Sequence, residues 1–188
     1  MIGVVIGGSA GSLDALHAMF SGLESVTEAT FIVVLHLSPT SKSLLPEVVG
    51  AYTDMPVREA VDKMPLTPGT VVVAPADYHL LIERDLTFAL SRDASVHFSR
   101  PAIDPLFETA ADVFGAQTIG VLLSGANADG AAGLRAIKSA GGRVGIQDPT
   151  TAVATEMPLA GIAACRPDLV ATPRAIGLWL TSVLGGAA

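Results

Sequence analysis

Short apolar runs alternate with amphipathic stretches along most of the chain. Ile2–Ile6 and Thr30–Leu35 read as buried strands, the second rich in β-branched residues. Between them Ser12–Leu23 has helical spacing, with Leu13, Leu16, Phe20 and Leu23 on one face and Ser12 as N-cap. Lys42–Tyr52 reads as a second helix around Leu44, Leu45, Val48 and Val49. The same alternation returns later. Asp104–Phe114 is a helix capped by Asp104, with Pro105 at its first position and Gly115 at its end. Thr118–Leu123 is a strand, Gly130–Ala140 a helix closed by Gly141-Gly142, and Arg143–Gln147 a strand. Thr155–Ala164 is helical, Leu169–Ala171 a short strand and Arg174–Leu184 the last helix.

The middle differs. Val57–Ala60, Thr70–Ala74, His79–Glu83 and Leu86–Leu90 are short strand candidates broken by Pro, Gly and Asp, and Glu83-Arg84-Asp85 resembles a hairpin turn. Strand–helix alternation predicts βαβ units. The expected fold class is α/β: a three-layer sandwich with a mainly parallel, doubly wound sheet and a β-hairpin insertion.

The chain has 188 residues, half of them hydrophobic and 15% charged. That supports one domain over residues 1–188, able to bury roughly 70% of its unfolded surface. Its net charge of −7 argues against phosphate backbones and anionic lipid, so neither nucleic acid nor a membrane surface is expected as partner. No stretch approaches the roughly 18 apolar residues of a membrane helix, and the start lacks a signal peptide's basic flank. One cysteine, Cys165, leaves no internal disulfide. The expected compartment is the cytoplasm.

Ligands of open parallel sheets bind at the carboxyl ends of the strands. The first strand is followed by Gly7-Gly8-Ser9-Ala10-Gly11, a G-x-S-x-G pattern in a strand–turn–helix context. The second is followed by His36, and the strand at Thr118–Leu123 by Ser124-Gly125-Ala126-Asn127-Ala128-Asp129. A serine nucleophile needs a base, and the base needs a carboxylate to fix its tautomer. Ser9, His36 and Asp129 provide that set at one sheet edge. Each residue also has a plainer reading. The Gly7–Gly11 loop suits a phosphate or nucleotide cradle, His36 a backbone-bonded strand end, and Asp129-Gly130 a turn. Of the other histidines, His17 suits packing, His79 a supporting role near a pocket, and His97 the surface or packing. Four histidines and one cysteine, widely spaced, make no metal signature; no metal and no cofactor are expected.

These residues resemble a family. Ile6-Gly7-Gly8-Ser9-Ala10-Gly11 is similar to the I-G-A-S-x-G-G loop of the CheB-type protein-glutamate methylesterase catalytic domain. Val33-Val34-Leu35-His36-Leu37 resembles its V-x-Q-H-M/L segment, and Arg100-Pro101-Ala102-Ile103-Asp104-Pro105-Leu106-Phe107 its R-P-S-V-D-x-L-F block. Leu122–Leu134 is similar to L-T-G-M-G-x-D-G-A-x-G-L, and Gln147-Asp148-Pro149 with Met157-Pro158 also has a counterpart. The segments around His36-Leu37-Ser38-Pro39 and Lys42–Glu47 look closest to domains of methylesterase–methyltransferase fusions. Departures are Ala126 where the family commonly has Met, Asn127 for a glycine, Ala10 for a threonine and Ser12 for a glycine.

The resemblance implies a serine hydrolase that removes methyl esters from glutamates of methyl-accepting chemotaxis receptors and also deamidates receptor glutamine. It assigns catalysis to Ser9, His36 and Asp129. Oxyanion and substrate-binding positions are Ala10, Gly11, Ala126, Arg100 and Met157. The implied partner is an acidic helical receptor segment, with Lys42, Arg100 and Arg135 as candidate positive charges near the mouth. A separate regulatory or methyltransferase partner is a further expectation, because the family usually carries a receiver domain ahead of a strand that here begins at Ile2. Two rival readings stand beside this one. One is a non-catalytic phosphate- or nucleotide-binding module; the other is an esterase with a changed small-molecule substrate.

Overall fold

The structure, a computed structural model, describes residues 1–24, 28–36 and 44–185. In chain order the strands are β1 (Ile2–Gly8), β2 (Ala29–Leu35), β3 (Val57–Glu59), β4 (Val71–Val73), β5 (His79–Ile82), β6 (Phe88–Ser91), β7 (Thr118–Leu122), β8 (Arg143–Gln147) and β9 (Leu169–Ala171). The helices are α1 (Ser12–Phe20), α2 (Leu45–Gly50), α3 (Ile103–Phe114), α4 (Ala131–Ser139), α5 (Glu156–Ala164) and α6 (Pro173–Gly185). Among the described residues seven strands form one sheet in the order β3-β4-β2-β1-β7-β8-β9. Every pairing in it is parallel.

Helices cover both faces, which is why β1, β2, β4 and β7 are nearly continuous apolar runs rather than alternating, with Thr30 and Thr118 as the exceptions. Val4, Ile6, Val33 and Leu35 face one core with Leu16, Met19 and Phe20 of α1 and Ile176 and Leu180 of α6. Val5, Ile32, Val34 and Leu122 face the other, with Ile103, Leu106 and Phe107 of α3, Leu134 and Ile137 of α4, and Met157 of α5. From β1 the chain order runs to β2 on one side and to β7 on the other, so β1 marks the switch point where such sheets open a crevice.

Several local expectations are corrected. The four middle strands do not act alike: β3 and β4 extend the parallel sheet, while β5 and β6 form a separate antiparallel hairpin. Leu86 belongs to the hairpin turn at φ 62, not to a strand. Gly11, not Ser12, is the N-cap residue of α1; Ser12 Oγ instead donates to Ser9 O at 2.5 Å. Leu13 lies off the buried face, 42% exposed, and His17 stacks on Tyr52 from the exposed side. α3 starts at Ile103 with Ala102 as N-cap residue, so Asp104 does not cap it. The first residues of the expected Lys42–Tyr52 helix, Lys42 included, lie outside the described residues.

Candidate active site

Three strand ends and one helix start converge at the carboxyl edge of the sheet. β1 and β2 pair in register up to Gly8↔Leu35, so Ser9 and His36 are the next residues on adjacent strands, which in a sheet run about 4.8 Å apart. The His36 N–H donates to Gly8 O at 3.2 Å and carries the ladder one step further. Alternation along the strands sets the side. Val5 and Val34 pack on the α3 face, and a Cβ at Gly7 would meet Ile103 of α3, so Ser9 and His36 fall on that face too.

Asp129 meets them there. It is fully buried, and its Oδ2 lies 2.7 Å from His36 Nε2. The same oxygen accepts the Ile103 N–H at 2.7 Å, and Oδ1 accepts the Asp104 N–H at 3.0 Å. These amides are the unpaired donors of the first turn of α3, at the positive end of its dipole. The helix is thus capped by an aspartate from a loop about 25 residues downstream. Burial opposes the charge on Asp129. The His36 hydrogen bond, the two amides and the charge on His36 outweigh it and hold the carboxyl below its ordinary value. Neighbouring Asp104 goes the other way: burial raises it, the Gly133 N–H works against that, and the Asp129 charge adds to it.

The Asp129 bond engages His36 Nε2, so its proton sits there and Nδ1 carries the free lone pair. Ser9 is half-buried, and among the described residues its hydroxyl makes no hydrogen bond, to His36 included. The two other serines close by are committed. Ser12 Oγ donates to Ser9 O; Ser124 Oγ is buried, donates to Ala10 O at 2.6 Å and accepts the Ala154 N–H at 2.9 Å.

The loops around Ser9 and Ser124 are stitched together. Ser9 N donates to Ser124 O at 2.8 Å, and Ser124 N donates to Gln147 Oε1 at 2.8 Å. Neither Ala10 N–H nor Ala126 N–H has a partner among the described residues, and both residues are exposed at the edge. Gly11 has φ 75, and a Cβ there would lie 2.4 Å from Val153 Cβ, so glycine is required on both counts.

A family model described as CheB methylesterase matches residues 4–180. The chain belongs to the CheB methylesterase family. A relative from Leptospira interrogans is 41% identical over 167 residues, covering 89% of this chain and 86% of its own. An Anaeromyxobacter dehalogenans protein, named protein-glutamate methylesterase/protein-glutamine glutaminase 3, is 36% identical over 94% of this chain and 53% of its own length. A Bradyrhizobium diazoefficiens counterpart of the group 2 operon is 35% identical over 82% of this chain and 40% of its own, so the chain spans about half or less of these two longer relatives. The crystal structure of the Thermotoga maritima CheB methylesterase catalytic domain superposes with a TM-score of 0.92 at 30% identity, covering 97% of this chain and 98% of that one.

Within this CheB fold the remaining expected site residues are placed as follows. Met157 is fully buried, and a Cβ at Gly125 would sit 2.5 Å from its Sδ and Cε. Its side chain therefore supports the Ala126 loop from below and does not line the entrance. The Arg100 guanidinium bonds Asp77 Oδ1 at 2.6 Å and the Arg92 and Asp93 carbonyls at 3.0 Å, which makes it a strut for the 92–94 loop. Arg135 is exposed on α4 with no side-chain hydrogen bond among the described residues.

His97, read as a surface or packing residue, lies closer to the site than expected. It and Phe98 form a two-residue turn with φ 49 and 63, closed by hydrogen bonds between Val96 and Ser99. The turn is tethered by Asn127 Nδ2 to His97 O at 3.4 Å and by His97 Nε2 at 3.7 Å from Asp104 Oδ2, and it holds Phe98 fully exposed. His97, Asp104 and Asp129 offer ligand atoms within 4.8 Å of one another. Both Asp129 oxygens already accept N–H donors, as does Asp104 Oδ1 from Gly133, so a cation would have to displace the bonds that hold His36 and α3. Among the described residues no helix is long and apolar enough to cross a membrane.

Proposed function

We propose that this protein hydrolyses γ-glutamyl methyl esters on methyl-accepting chemotaxis receptors through Ser9, His36 and Asp129. The observation that carries the reading is the buried His36–Asp129 pair, with His36 at the end of the strand next to that of Ser9, whose hydroxyl makes no hydrogen bond among the described residues. His36 Nδ1 takes the proton from Ser9 Oγ, which attacks the ester carbonyl. The oxyanion is held by the Ala10 and Ala126 amides, which have no partner among the described residues. The bond to the methoxy oxygen breaks, and His36 protonates the leaving group to methanol. Water then gives a proton to His36 and attacks the acyl carbon; as the bond to Ser9 Oγ breaks, His36 returns the proton to Oγ, releasing glutamate and free Ser9. Asp129 stays ionised throughout and stabilises the imidazolium. Glutamine follows the same acyl route, with ammonia leaving.

The relatives' names support the reaction class, and no observation favours a phosphate cradle. In the Gly7–Gly11 loop and the start of α1, the Ser9 and Ser12 amides are already engaged by Ser124 O and Ser9 O. The substrate segment is an acidic receptor helix in the cytoplasm, and Arg135, exposed on α4, is a cation that would attract it. The test is methanol release from membranes carrying receptor with labelled methyl esters. Wild type releases the label, and Ser9→Ala and His36→Ala release none while remaining folded. Undiminished release by Ser9→Ala places the nucleophile elsewhere.

A further inference from the structure

The start of α3 holds Asp129, and a buried histidine outside the three reacting residues bonds the residue just before that start. His79, at the head of β5, is 3% exposed. Its Nδ1 accepts the Ala102 N–H at 3.2 Å, and its Nε2 is 3.1 Å from Ala94 O. An amide can only donate and a carbonyl can only accept, so the partners select the neutral ring with its proton on Nε2. His79 therefore joins two segments: the 92–94 loop, which Arg100 grips from the other side, and the N-cap residue of α3. The next two amides along the chain, Ile103 and Asp104, are the ones that meet Asp129.

We propose that His79 is a positioning residue for ester cleavage. It fixes Ala102 so that the first turn of α3 presents its amides to Asp129, and through Asp129 it orients His36. This inference rests on reading His36–Asp129 as the catalytic pair. The decisive bond is the one at Nδ1; the bond at Nε2 only secures the loop.

Two polar substitutions separate these bonds. His79→Asn puts an amide oxygen near the place of Nδ1 and keeps an acceptor for Ala102. His79→Gln reaches toward Ala94 and gives up that acceptor. Each is measured for kcat and KM on methylated receptor and for the NMR signal of the His36 ring proton that bonds Asp129. The Asn variant is expected within about twofold of wild type in kcat, and the Gln variant roughly tenfold or more below it with KM unchanged, since small displacements of a catalytic group cost this much. The His36 signal should hold in the Asn variant and shift or broaden in the Gln variant. Equal behaviour of the two variants, in activity or in folding, overturns the inference, as does the reverse order. A wild-type protein that releases no methanol fails the functional reading instead, and the His36 signal still decides whether His79 positions Asp129.

Discussion

Asp129 Oδ2 bonds His36 Nε2 and the Ile103 N–H at the same distance, 2.7 Å. One carboxylate oxygen thus connects the base to the start of a helix, and the α3 dipole helps keep that oxygen charged. Asp129→Asn breaks this arrangement, because a carboxamide cannot accept from both α3 amides and still present an oxygen to the ring N–H. Turnover is expected to fall by about 10⁴, as it does in serine proteases when the wrong histidine tautomer results. Methanol release per enzyme measures it, and a loss of less than about tenfold would show that Asp129 does not set the tautomer.

The acid response follows from the opposite shifts of the two aspartates. Asp129 is held below its ordinary value. It therefore contributes stability that is present above the unfolded value of about 3.9 and is lost as pH falls through its lower folded value. Asp104 is raised, chiefly by burial. Its contribution is lost instead as pH rises through its folded value, so its ionisation weakens the fold at neutral pH. Asp104→Asn keeps an oxygen for the Gly133 N–H and is expected to be at least as stable as wild type in urea at pH 7. A loss of more than about 2 kcal/mol, the cost of an unsatisfied buried group, would refute that.

Phe98 is expected to act on docking and not on chemistry. Two adjacent non-glycine residues at positive φ are rare and costly, and here they hold an uncovered aromatic ring next to His97, whose ring lies within 4.8 Å of Asp129. Phe98→Ala should raise KM on methylated receptor several-fold while hydrolysis of a small activated ester continues at the wild-type rate. Equal loss on both substrates would assign Phe98 to the fold.

Gly11→Ala tests the nucleophile loop. Positive φ and the clash with Val153 should together cost at least about 1 kcal/mol in urea unfolding. Adding Val153→Ala should recover the clash and leave the φ penalty. Full recovery would mean that the backbone conformation carries no strain.

Much of the architecture was legible because buried parallel strands are written as unbroken apolar runs, as in Ile2–Ile6 and Thr30–Leu35. Ser9 and His36 stood out as candidates because each directly follows a strand, and Asp129 because it lies in the loop that leaves β7 at the same edge. What escaped was tertiary in origin. Asp104-Pro105 has the local form of a helix cap, yet the capping carboxylate is Asp129, which no local pattern reveals. Met157 looked available for substrate; its burial depends on α5 folding under Gly125. Ser124 and Gln147 lie in two separate blocks of the resemblance with no role assigned to either, and only the fold brings them together to hold the Ala126 loop. The double pairing of His79 likewise joins segments that meet only through the hairpin and α3.

The most direct test of the account is covalent trapping. The protein is treated with a fluorophosphonate ester, which phosphonylates activated serines, and the adduct is located by peptide mass spectrometry. The account predicts one adduct, on Ser9, formed in wild type and absent in His36→Ala. Labelling of Ser124 or another serine, or equal labelling of Ser9 without His36, would contradict it.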